Sequence, residues 1–80
     1  MHYVYILKSL MDGGYYYGSS ADVEKRLKSH NCGRVRSTKH RRPLEVHYVE
    51  CYDSKTAAIQ RERFFKSPLG HTWLKAKGII

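Results

Sequence analysis

The strongest constraint on this chain is a pair of short aromatic runs on either side of a turn. Tyr3 to Leu7 and Tyr15 to Gly18 are built from tyrosine, valine, isoleucine and leucine, with Asp12-Gly13-Gly14 between them. Aromatic and β-branched residues fit a pleated, half-buried surface. An Asp-Gly pair between two such runs predicts a β-hairpin. If Asp12 and Gly13 form the turn centre, Tyr16 falls opposite Ser9, on the sheet face that also carries Tyr5. A bulge or a longer turn would bring the two rings closer. The face is set by this pattern, but the register stays open.

The pattern then changes period. Ser20 or Asp22 can cap a helix running to about His30, with Val23 and Leu27, four apart, as its buried stripe. Arg26 and His30 are also four apart and share a neighbouring face. Asn31-Cys32-Gly33 ends the helix. Residues 33 to 43 form a basic loop without apolar periodicity, six of its eleven residues being Lys, Arg or His. Leu44 to Cys51 reads as a third strand, with Leu44, Val46 and Tyr48 on one face and Cys51 in the core. Asp53 or Ser54 caps a second helix from about Lys55 to Lys66, which Ser67-Pro68 ends. Leu69 to Ala76 forms a short last helix that packs Leu69 and Trp73 on the sheet. The order ββαβαα predicts an α+β fold, a small three-stranded antiparallel sheet flanked by helices, in a single domain over residues 1–80.

Composition narrows the function. Eighty residues lie close to the lower limit for an unaided hydrophobic core. Each of the seven tyrosines buries a large ring and still needs a partner for its hydroxyl, which points to a polar pocket or a half-wet surface. Fifteen Lys and Arg against seven Asp and Glu give a formal net charge of +8. That field favours a polyanionic partner, nucleic acid first. Cys32 and Cys51 have neither the number nor the spacing of a zinc site or disulfide framework, as expected for reduced thiols in the cytoplasm. There is no leader-like segment and no apolar run of ~18 residues, so the expectation is a soluble, cytoplasmic chain with no membrane partner.

The chemistry-bearing residues suit phosphodiester hydrolysis. That reaction needs an activated water, stabilisation of charge on the phosphorus oxygens, and help for the departing 3′ oxygen. One divalent metal can serve the last two needs. Mg²⁺ asks for at least one carboxylate and keeps most of its waters. Asp12 is accounted for by its turn, Asp22 and Asp53 by helix starts, and Glu24 by an outward face among lysines. Glu62 differs, because it sits on the shoulder of an apolar arc formed by Ala57, Ala58, Phe64 and Phe65. It is placed either to ligate a metal or to pair with a basic neighbour. Arg61 lies nearer the centre of the arc, and either snorkels or is buried against Glu62 or Glu50. The Arg26 guanidinium suits bidentate contact with phosphate. His30 suits proton acceptance, polarisation of a tyrosine hydroxyl, or simple capping of its helix.

In the order and spacing of these motifs the chain resembles the GIY-YIG nuclease domain, most closely its small stand-alone UvrC-type (UPF0213-like) branch. Tyr3-Val4-Tyr5 matches the first motif with Tyr for the usual leading Gly, and Tyr16-Tyr17-Gly18 matches the second. Asp22 to Asn31 resembles the helix carrying the family's Arg, and His30 falls where many members have His. Asn31 to Pro43 and the Arg61-Glu62 pair resemble the UvrC-type branch in particular.

The resemblance implies a DNA endonuclease using one Mg²⁺ or Mn²⁺ ion and no small-molecule cofactor. Tyr5 would be the general base or water-positioning hydroxyl, Tyr16 would shape the site, and Arg26 would hold the scissile phosphate. His30 would assist proton transfer, and Glu62 would ligate the metal. Branched, flapped or damaged DNA, and a role in DNA repair, follow by analogy. A non-catalytic nucleic-acid adaptor of the same fold and an RNA-binding protein are the alternatives. In the basic loop, Arg34, Arg36, Lys39, His40, Arg41 and Arg42 are candidates for phosphate contact, which gives steep salt dependence and little sequence information.

Overall fold

A computed structural model describes residues 1–80. Strands β1 (His2–Ser9), β2 (Tyr15–Ser20) and β3 (Leu44–Tyr52) form one antiparallel sheet in the order β2-β1-β3. Helices α1 (Val23–Asn31), α2 (Lys55–Phe65) and α3 (Pro68–Ala76) complete the predicted ββαβαα order. A short 3-10 turn over Lys39–Arg41 lies between α1 and β3.

The hairpin takes the longer of the two turns that the sequence allows. Ser9 N–H donates to the Gly14 carbonyl and Gly13 N–H to the Ser9 carbonyl, both at 2.9 Å. The Asp12 carboxylate accepts from Gly14 N–H at 2.7 Å, and Gly13 takes a φ of 71°. Tyr16 therefore faces Leu7 rather than Ser9, and Tyr5 faces Gly18. The tyrosine ring has moved two residues along the sheet toward Tyr5.

β1 is the central strand, and its alternation divides the interior in two. Val4 and Ile6 point to one face and pack with Ala58, Phe65 and Leu74 of α2 and α3. Tyr5 and Leu7 point to the other face with Leu44, covered by Tyr16, Val23 and Leu27. The pairing of β3 with β1 shifts between Ile6 and Leu7, so Leu7 faces Val46 while Ile6 faces Tyr48. His47 is the extra residue of this bulge. Leu44 and Tyr48 consequently sit in opposite cores, which corrects the simple alternation expected for this strand. Cys51 is exposed rather than buried. Leu69 is also exposed, and α3 is buried through Gly70 and Leu74, with Trp73 packed beside them.

The helices begin at Asp22, Ser54 and Ser67, whose side chains accept from the N–H groups of Lys25, Ala57 and Gly70. α1 ends with Gly33 at a φ of 79°, Gly33 N–H on the His30 carbonyl and Arg34 N–H on the Ser29 carbonyl. This is a Schellman closure, which needs a residue without a Cβ at the left-handed position. α3 crosses the end of α2 so closely that a Cβ on Gly70 would overlap the Phe64 carbonyl.

One ion pair ties α2 to the sheet and to α3. Arg61 Nε donates to Glu50 Oε1 at 2.8 Å and Nη2 to Oε2 at 3.3 Å. The hydroxyls of Tyr48 and Tyr52 donate to the same carboxylate at 2.6 and 2.7 Å. Burial alone would raise the Glu50 carboxyl, but these hydrogen bonds outweigh it and hold the group below its ordinary value. The charged acceptor in turn pushes the Tyr48 hydroxyl up to about 12. The guanidinium lies over Phe64, Phe65 and Trp73, 4.9, 4.8 and 4.4 Å from the ring centres. Of the two placements open to Arg61, the structure adopts burial against Glu50.

Arg61→Ala strips a cation from three rings and leaves a partly buried carboxylate with only tyrosine donors. A loss of about 2–3 kcal/mol in urea unfolding is expected. Arg61→Lys should recover less than half of it, because an ammonium neither forks nor stacks. Wild-type stability in either variant would contradict this role.

Candidate active site

On the α1 face of the sheet, the two tyrosine motifs and the first helix meet. Tyr5 is 1% exposed, and its ring crosses the edge strand over Gly18. A Cβ at Gly18 would stand 2.5 Å from both Cζ and Oη of Tyr5, so the second motif ends in glycine to give this ring room. The Tyr5 hydroxyl lies 3.3 Å from His30 Nε2, and His30 Nδ1 lies 2.8 Å from Thr38 Oγ1. Tyr16 stands edge-on to the imidazole at 4.8 Å between ring centres. Tyr17, one residue on, points through the sheet to Phe65 and His71.

Two charges act on this buried cluster. Burial pushes the Tyr5 hydroxyl up, the neighbouring Arg26 guanidinium opposes the rise, and Tyr16 and Glu62 add to it. Arg26 on α1 and Glu62 on α2 therefore both reach Tyr5 electrostatically, from different layers of the fold. Burial, followed by repulsion from Arg26, lowers His30 to about 4. At neutral pH its imidazole is uncharged.

Glu62 is only partly exposed, at 20% of its side chain, and accepts from Lys66 Nζ at 2.8 Å. Lys66 itself is half exposed and can swing into solvent. No cluster of three or more His, Cys, Asp or Glu side chains is present. A lone carboxylate such as Glu62 fits a hard ion that keeps most of its waters and takes substrate oxygens. It does not fit a metal needing a full protein cage.

The basic segment is folded rather than an open loop. Arg34, Arg36, Lys39, His40 and Arg42 are exposed, Arg42 donating to the carbonyls of Lys39 and Asn31 at 2.8 and 3.4 Å. Arg41 departs from the expectation. Its Nε pairs with Asp12 at 3.1 Å and its Nη2 reaches the Tyr15 carbonyl at 3.3 Å, so its cation already has a carboxylate partner. Ser9 Oγ also donates to the Arg41 carbonyl at 2.6 Å. These contacts pin the segment to the hairpin.

Three residues of the site went unrecognised in the sequence. Thr38 is fully buried within a stretch that reads as polar loop. Asn31 does more than stop a helix, since its amide pairs with both Leu44 backbone groups at 2.8 and 2.9 Å. Lys66 guards Glu62, and its spacing one helical turn on was the available signal.

The depressed His30 value carries a stability consequence. The unfolded chain takes up a proton near the ordinary value of 6.5, whereas the folded chain resists until about 4. Its contribution is therefore complete above pH 6.5 and lost as pH falls toward 4. Urea unfolding at pH 7.0 and 4.5 should differ by about 2–3 kcal/mol. His30→Gln should flatten that slope, and an unchanged slope would show that His30 does not carry it.

Comparison with known proteins agrees with this geometry. The model of the GIY-YIG catalytic domain matches residues 1–75. A UPF0213 protein of Bacillus licheniformis is 46% identical over 66 residues, covering 81% of this chain and 67% of its own. One from Bacillus pumilus is 43% identical over 77 residues, covering 95% and 72%. The solution NMR structure of a UPF0213 protein from Bacillus halodurans is 33% identical, with a TM-score of 0.55 over 94% of this chain and 82% of that one. The motif tyrosines, the helix-borne Arg26 and Glu62 thus lie within a chain that belongs to the GIY-YIG domain family and is similar to its UPF0213 proteins.

Proposed function

We propose that this protein is a divalent-metal-dependent endonuclease that hydrolyses DNA phosphodiesters at the site around Tyr5. The observation that carries this reading is a buried phenol of the first tyrosine motif 3.3 Å from an imidazole nitrogen, with Tyr16 of the second motif edge-on to the same ring. A water attacking phosphorus gives its proton to the Tyr5 oxygen as the Tyr5 proton passes to His30 Nε2. The new P–O bond forms as the bond to the 3′ oxygen breaks, and that oxygen leaves with the electron pair and takes a proton from solvent. Arg26 holds the phosphate oxygens.

A tyrosine raised above its ordinary value is a poor base alone, so the acceptor behind it matters. Arg26 is also one of the two causes that keep His30 weakly basic. A phosphate seated on Arg26 cancels part of that charge, so His30 becomes a better proton acceptor when substrate arrives. Glu62, once freed from Lys66, would hold the divalent ion, and Mg²⁺ or Mn²⁺ there would supply Lewis-acid stabilisation of charge in the phosphodiester. The exposed Arg34, Arg36, Lys39, His40 and Arg42 add backbone contacts that position the duplex or a branched junction without reading its sequence.

A second reading, a non-catalytic nucleic-acid adaptor, draws on the Glu62–Lys66 pair, in which an ammonium already occupies the carboxylate. Supercoiled plasmid and branched-DNA cleavage in Mg²⁺, Mn²⁺ or EDTA separates the two. Glu62→Ala should lower cutting by at least about 100-fold with binding intact. Lys66→Ala should lower the Mg²⁺ concentration for half-maximal rate several-fold. Cutting that survives Glu62→Ala contradicts the metal role. Salt-sensitive binding without cutting, unaffected by Glu62→Ala, supports the adaptor.

A further inference from the structure

Thr38 has no part in the chemistry described so far, yet it is fully buried with its hydroxyl on His30. Counting hydrogens explains why. Three groups lie in line, each with one hydrogen to give: the Tyr5 hydroxyl, the neutral imidazole and the Thr38 hydroxyl. Three contacts link them to one another and to the Val35 carbonyl, which lies 3.4 Å from Thr38 Oγ1. A carbonyl can only accept, so making that contact requires the Thr38 hydrogen to point at Val35. Thr38 then accepts from His30 Nδ1–H. The remaining ring nitrogen, Nε2, is left bare and accepts the Tyr5 hydrogen. In the opposite arrangement Thr38 donates to Nδ1 and Nε2–H donates to Tyr5. The Val35 carbonyl then keeps only the Thr38 N–H at 3.2 Å, and, decisively, the buried Tyr5 hydrogen needs another acceptor.

We propose that Thr38 is a positioning residue for phosphodiester cleavage, holding His30 in the Nδ1–H tautomer so that the Nε2 lone pair faces the Tyr5 hydroxyl. The inference rests on the proposed endonuclease activity for its functional half. In the step it serves, the Tyr5 proton moves to Nε2 while the proton of water replaces it on the Tyr5 oxygen. His30 briefly becomes imidazolium and keeps its Nδ1–H on Thr38. When Nε2 later releases its proton to solvent, the same tautomer is restored and the next cycle can start. Thr38 gains a second role from its place in the chain. It stands just before the 3-10 turn that Arg41 and Ser9 pin to the hairpin, within the basic segment. Ordering of that segment and proton acceptance by Tyr5 are therefore linked through one hydroxyl.

The test replaces the hydroxyl by a methyl of equal size, Thr38→Val, and keeps it in Thr38→Ser. The first readout is independent of cleavage: long-range ¹H–¹⁵N correlation of the His30 ring at pH 7 identifies which nitrogen carries hydrogen. Wild type and Thr38→Ser should show a protonated Nδ1 and a bare Nε2, and Thr38→Val a mixture or the reverse. Single-turnover plasmid cleavage in Mg²⁺ should fall about 10- to 100-fold in Thr38→Val without loss of DNA affinity, and Thr38→Ser should restore most of it. A wild-type Nε2–H tautomer overturns the inference, as does a Thr38→Val protein with wild-type tautomer and rate. If Thr38→Val does not fold, the wild-type and Thr38→Ser spectra still decide the tautomer. If wild type does not cut at all, the endonuclease reading fails, and the spectra judge the Thr38 hydrogen bond separately.

Discussion

The burial of a single phenol hydroxyl organises one whole face of this protein. Tyr5 sits on the central strand, where its ring belongs in the core but its oxygen cannot be left unpaired without a cost of about 1–3 kcal/mol. Each solution creates the next requirement. Gly18 gives up its side chain so that the ring can cross β2. His30 supplies the partner, and its second nitrogen then needs Thr38. Thr38 can reach it only if the segment after α1 folds back, which the Asp12–Arg41 and Ser9–Arg41 contacts secure. No buried side-chain nitrogen or oxygen is left without a partner. The same chain of hydrogen bonds that makes the core tolerable is the proposed proton path.

The opposite face does mechanical work for the site. Arg61 is held inward by Glu50 and by three aromatic rings, which fixes the rotation of α2. In a helix the next residue is turned by about 100°. Glu62 is therefore carried out of that core to its partly exposed position, within electrostatic reach of Tyr5. A partly buried ion pair of this kind adds little net stability compared with an apolar substitute, but it specifies orientation. Here that orientation sets the position of Glu62, the carboxylate proposed to hold the metal.

What was legible in the sequence followed from periodicity and short-range chemistry. The hairpin, the strand-helix order and the caps at Asp22 and Ser54 rest on neighbours within a few residues. The burial of Arg61 against Glu50 was also within reach, because a cation near the centre of an apolar arc needs a partner. The misreadings have a different origin. The bulge at His47 is imposed by pairing with β1 and moves Tyr48 to the other core. Leu69 lost its place because Gly70, with no side chain, is what lets α3 approach α2. Thr38 and Arg41 lie in a stretch without periodicity, and their partners His30, Asp12 and Tyr15 come from other segments. Nothing local to residues 33–43 distinguishes a structural arginine from a phosphate-binding one.

The most direct test of the account removes one oxygen atom. Tyr5→Phe keeps the ring over Gly18 and deletes only the hydroxyl that faces His30. Single-turnover cleavage of plasmid DNA in Mg²⁺ should fall by at least about 100-fold, with DNA affinity unchanged. A Tyr5→Phe protein that folds normally and cuts at the wild-type rate would contradict the central role assigned to this hydroxyl.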